Sequence, residues 1–154
     1  FVSNFSRKPQ GNDRAQVMAV AYGEAELAIV NHYYLGIMLS GKSGEKQKSA
    51  AEKVSVAFPN TNNRGVHVNI SGAGILKNSK NYNNVFKYLE FLLEKDIQKH
   101  IVLNTYEYPI IDTVEPSPVI KSLGSNYKED KLKVKELGIN NPKAVRIMDR
   151  AGWK

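Results

Sequence analysis

The sequence contains no cysteine. That excludes a disulfide framework, thiolate metal sites and cysteine nucleophiles, although it leaves the compartment open. No apolar run approaches the ~20 residues that span a bilayer. The longest apolar stretches, residues 17–22 and 27–30, suit buried helices or strands. His32, His67 and His100 form no His-Glu-x-x-His zinc spacing. Ser71-Gly72-Ala73-Gly74 is not the Gly-x-Ser-x-Gly turn of hydrolases, and no glycine-rich phosphate loop precedes a lysine. No catalytic residue is therefore assigned, and the chain is read as something other than an enzyme. Internal repeats and low-complexity segments are also missing.

The 154 residues, 42% of them hydrophobic and 24% charged, are enough for one domain with a real core. The formal charge is +7, and a basic surface can mean nucleic acid or an anionic membrane. Here the lysines are spread along the chain, from Lys42 through Lys53, Lys80 and Lys99, with no dense run and no nucleic-acid motif. They read as solvated surface, and no nucleic-acid partner is expected.

Strand and helix signals alternate. Asn12 or Asp13 caps a helix over residues 14–22, with Gly23 at its stop and Val17, Val20 and Ala21 on its buried stripe. Residues 27–30 read as a buried strand and 35–39 as a short helix, which Gly41-Lys42-Ser43-Gly44 breaks. A polar helix over 45–53 precedes a strand over 54–58. Pro59 to Gly65 is a loop, and Val66, Val68 and Ile70 share one face of a strand over 66–70. Ile75 and Leu76 resume an extended run. Val85, Leu89, Leu92 and Leu93 mark a helix over 83–94, followed by another over 96–103. Residues 106–111 are extended around Pro109, and a helix covers 119–123. The last helix is expected over 142–151, with Asn141 as cap, Pro142 at its first position and Gly152 as stop. The pattern predicts an α/β fold.

Tyr33-Tyr34 follows the strand over 27–30. Paired tyrosines at such a junction are commonly packing. A phenol titrates near 10 and is a poor ligand for most divalent ions. Ferric iron is different: it is hard and highly charged, prefers anionic oxygen, and can drive off the phenolic proton. At a strand-to-helix turn two adjacent side chains can converge on one ion.

Several blocks carry a resemblance. Arg7-Lys8-Pro9-Gln10-Gly11-Asn12-Asp13-Arg14-Ala15-Gln16, the run from Ala19 to Ile29, and Asn31-His32-Tyr33-Tyr34 resemble the periplasmic ferric-iron-binding proteins, the solute-capturing subunits of ABC-type iron importers. So do Arg64 to Gly74, Tyr106-Glu107-Tyr108-Pro109, and Asp149-Arg150-Ala151-Gly152-Trp153-Lys154. The match runs over essentially the whole chain in the right order.

The resemblance implies part of a two-lobe, type II or transferrin-like fold, with a mixed sheet and flanking helices around a cleft that closes on iron. It places the family's tyrosine ligands on Tyr33 and Tyr34. It implies further ligands (tyrosine, histidine, glutamate, or a synergistic anion such as carbonate) from an N-terminal half outside this sequence. Asn31, Asp13 and Arg14 are the implied supporting or anion-binding residues; Arg14 could offset phenolate charge by hydrogen bonding. His32, beside the tyrosines, is expected to turn away. Asn62 and Arg64 are implied to line the hinge, and Tyr106, Glu107 and Tyr108 are expected to be structural. By the same analogy residues 1–63 and 112–154 belong to the C-terminal lobe, and 64–111 return to the N-terminal one. Strands near 66–76 would then lack neighbours, so the missing half is present elsewhere or the piece self-associates. The implied partner is an ABC permease, and the implied location the periplasm. The alternatives are a same-fold binding protein for an organic or anionic solute, such as a phosphate ester, a polyamine or thiamine, and an enzyme or regulator effector domain of that fold.

Overall fold

The computed structural model describes residues 2–124 and 127–153. The outer ends of the expected segments, Phe1 and Lys154, lie outside the described residues. After a short 3-10 turn at Val2–Asn4 come α1 (Asp13–Ala21), α2 (His32–Leu39), α3 (Glu45–Ala51), α4 (Tyr82–Leu92), α5 (Lys95–Thr105), α6 (Pro118–Ser122) and α7 (Val134–Arg150).

The start of α1 follows capping chemistry. Asn12 is its N-cap, and the Asn12 side chain accepts from the Ala15 N–H at 3.2 Å, satisfying one of the free donors of the first turn. At the other end Gly23, at φ +78°, donates to the Val20 carbonyl. The buried residues of α1 are Val17 and Ala19; Val20 and Ala21, expected inside, are half-exposed. Val17 joins Leu35, Met38 and Ala51 in one core, against which Val30, Val54, Val56 and Leu123 pack. Met38 is fully buried. Truncating it to alanine should cost about 2–5 kcal/mol, because the cavity refills only partly.

Helix α2 begins at His32, not at Leu35, so Tyr33 and Tyr34 lie in its first turn instead of on the turn before it. Gly36 fixes its depth. A Cβ there would fall 2.8 Å from the Tyr106 Cβ and 2.9 Å from the Ile120 Cδ1, so only glycine allows α2 to approach both. The helix that bears the tyrosine pair is thus wedged between the end of α5 and α6.

The expected strands are not formed among the described residues, which contain no β-ladder. Val66 makes one isolated parallel bridge with Glu129: the Val66 N–H donates to the Lys128 carbonyl and the Asp130 N–H to the Val66 carbonyl, both at 2.8 Å. The physical reason is the lack of partners, since a strand exists only by pairing. Leu27 and Ile29, expected in a buried strand, are 74% and 77% exposed. Val68, Ile70 and Leu76 are exposed as well. The α/β expectation is therefore realised here only in its helices.

Helix α7 also departs from expectation. It starts at Val134 with Lys133 as N-cap, so Asn141 does not cap it and Pro142 lies in its interior. An interior proline removes one backbone bond, here to the Gly138 carbonyl. Gly138 and its neighbours are exposed, so water can take the freed carbonyl. Along α4, Val85, Leu89 and Leu92 are half-buried, and Leu93 just beyond it is exposed.

Candidate metal centre

The first turn of α2 is held from α1. Asp13, the first residue of α1, accepts through Oδ1 from the Asn31 backbone N–H at 2.8 Å and from Asn31 Nδ2 at 3.3 Å. Asn31 is the N-cap residue of α2, yet its side chain makes no capping bond. Its Oδ1 instead accepts from Asn69 Nδ2 at 3.0 Å. A carboxylate near a helix N-terminus is favourable, because the free N–H groups carry positive partial charge there. Asp13, Asn31 and the tyrosine pair are thus brought together.

Tyr33 and Tyr34 occupy the second and third positions of α2. Helical neighbours diverge by about 100°. Their rings nevertheless lie 4.3 Å apart between centroids, tilted by 35°. The hydrogen bond between the two phenols pushes the Tyr33 hydroxyl up to about 12, with burial and the charges of Tyr34, Asp13 and Glu107 acting in the same direction. At neutral pH Tyr33 is a neutral phenol. Displacing its proton takes a strongly polarising cation.

Arg14 donates from Nη1 to Ser43 Oγ at 3.3 Å, and its Nε is buried without a partner. Its guanidinium is therefore engaged with the turn before α3. His67 and His100 are exposed. Arg64 pairs with Asp130 at 3.4 Å, which joins the segment after Asn63 to the 128–130 segment.

An aromatic file behind the pair has no local sequence signal. His32 and Tyr33 rings are 6.2 Å apart, His32 and Tyr108 4.8 Å, Tyr108 and Tyr127 6.2 Å, and Tyr127 and Phe58 4.4 Å. Burial, then the hydrogen bond to Tyr108 and the charge of Glu129, raise the Tyr127 phenol well above its ordinary value. Burial lowers the pKa of His32, against opposing effects of a hydrogen bond to the Tyr106 backbone and the charge of Glu107. Its Nε2 is buried without a partner. The file joins residues far apart in sequence, and no spacing rule could have found it.

Among the described residues no group of three or more His, Asp or Glu could hold a metal ion. The tyrosine pair offers two oxygen donors, fewer than an octahedral oxygen shell needs.

No family model matches the chain. Iron uptake protein A1 of Synechocystis is 44% identical over 154 residues, covering 100% of this chain and 42% of that protein. A Trichodesmium protein solved in complex with iron and citrate ligands superposes with a TM-score of 0.91 at 42% identity, over 100% of this chain and 48% of the other. The ferric binding protein from Campylobacter jejuni also gives a TM-score of 0.91, at 38% identity and over 98% of this chain.

The chain is a homologue of the ferric-iron-binding proteins.

It spans a little under half the length of these relatives. Its backbone nevertheless follows theirs along nearly all of its own length. The tyrosine pair sits within that shared region.

Proposed function

We propose that this chain is the C-terminal half of a two-lobe protein that captures ferric iron in the periplasm and delivers it to an ABC-type permease. The role is binding and transport, not catalysis. The observation that carries the reading is the contact of Tyr33 and Tyr34, two phenols 4.3 Å apart in the first turn of one helix, in a chain 44% identical to an iron uptake protein over its whole length.

In this reading Tyr33 and Tyr34 lose their protons to ferric iron and bind it as phenolates. Asp13, Asn31 and Arg14 support the pair or an accompanying anion, and the remaining ligands come from the other half. A synergistic anion such as carbonate completes the shell where protein ligands are too few. Residues 1–63 and 112–154 belong to one lobe and 64–111 to the other. The unpaired segments near 27–30 and 66–76 complete a mixed sheet when the other half is present. Lobe closure then screens the iron from water, and the closed form is what the permease recognises.

The test is a visible titration of the full-length protein with ferric citrate. A phenolate-to-iron band at roughly 400–500 nm supports the reading. Its absence, together with saturable binding of an organic or anionic solute, would favour the alternative use of the same fold.

A further inference from the structure

We propose that Asp13 is a positioning residue for the iron ligands: its carboxylate, from α1, holds the start of α2 through the Asn31 backbone N–H and thereby sets where Tyr33 and Tyr34 present their phenols. This rests on the reading of the tyrosine pair as iron ligands and deepens it.

Three observations combine. First, α2 is not capped by its own N-cap residue, because the Asn31 side chain is drawn outward to Asp13 and Asn69. Second, the Asp13 bond to the Asn31 N–H is the shorter of the two Asp13 contacts, at 2.8 Å, and spans 18 residues of sequence. It fixes one helix against another instead of closing a local turn. Third, Tyr33 and Tyr34 lie two and three residues beyond that anchor, within the same turn. A side chain cannot be placed more accurately than the turn that bears it, and a small displacement of ligand oxygens lowers metal affinity.

The experiment measures ferric binding and the charge-transfer band in full-length wild type and in Asp13→Ala, Asp13→Asn and Asp13→Glu variants. Asn keeps a carbonyl oxygen at the same reach, so it can still accept from the Asn31 N–H. Glu keeps the charge but displaces it by one methylene. The proposal expects Asp13→Ala to bind iron about 10- to 100-fold more weakly, with a shifted band, and Asp13→Asn to recover most of both. Asp13→Glu should resemble the alanine variant. If Asp13→Ala fails to fold, the Asn and Glu variants decide the matter between them. Recovery by Glu but not Asn would show that charge, not the backbone bond, is what counts, and would overturn the proposal. So would wild-type affinity and band position in Asp13→Ala. A wild-type protein with no band would instead remove the iron reading itself, a distinguishable failure.

Discussion

Gly65 lies with its bare Cα against the main chain of Glu129: a Cβ at Gly65 would fall 2.5 Å from the Glu129 carbonyl carbon. Its φ of +105° is also one that side chains disfavour. This contact fastens the segment after Asn63 to the 128–130 segment, beside the Arg64–Asp130 pair. Lys128 Nζ reinforces it by donating to the Asn63 carbonyl. Gly65→Ala should destabilise by at least the ~1–3 kcal/mol of an unfavourable backbone conformation. Gly72→Ala, where a Cβ meets nothing within 4 Å, is the control and should leave the unfolding midpoint within error. Equal midpoints for the two variants would contradict the close contact.

Iron capture should be strongly proton-linked. With the Tyr33 hydroxyl pushed up to about 12, it is protonated throughout the neutral range and must be deprotonated to bind. Binding therefore releases protons, and affinity falls as pH falls. Two displaced phenolic protons give about a hundredfold loss in affinity per pH unit. Proton release on iron addition in weak buffer, larger for wild type than for the Tyr33→Phe/Tyr34→Phe double variant, checks this. Identical release in both would count against phenolate ligation.

Burial of His32 should make the protein acid-sensitive. Burial lowers its pKa from the ordinary 6.5, so the unfolded chain takes up a proton at a higher pH than the folded one. Stability should thus be full above that value and decline as pH drops through it. His32→Gln should flatten this decline in chemical denaturation between about pH 7 and pH 5. A slope unchanged by the substitution would show that other groups carry the acid sensitivity.

The 154-residue chain on its own should self-associate. Phe86 and Phe91 on α4, and Val145 and Ile147 on α7, are 44–48% exposed, and Val68, Ile70 and Leu76 are exposed as well. Such surfaces seek partners. Size-exclusion chromatography should show species larger than a monomer for this chain, and a monomer for a protein spanning both halves. A cleanly monomeric short chain would argue that these faces need no cover.

Much of the helical framework was legible in the sequence. Asn12 and Gly23 bracket α1, because capping is chemistry between close neighbours. Pro142 misled, since its preference for a first helical position is weaker than the continuity of an exposed helix around it. The strands failed for another reason: Val66 or Ile70 can be read as strand-like, but a strand needs a partner that local sequence does not name. Of the site, Tyr33 and Tyr34 stood out through resemblance and donor chemistry. Their ring contact, the Asp13 anchor and the file through Tyr108 to Tyr127 arise from tertiary packing. Spacing carries no information about contacts of that kind.

The measurement that tests the account most directly is ferric citrate titration of the full-length protein followed by visible absorption, with Tyr33→Phe and Tyr34→Phe in parallel. The account predicts a saturable charge-transfer band in wild type that is lost in both variants, since each phenolate is a ligand. A full-intensity band that survives both substitutions would contradict the assignment of Tyr33 and Tyr34, and no band in wild type would contradict ferric capture by this protein.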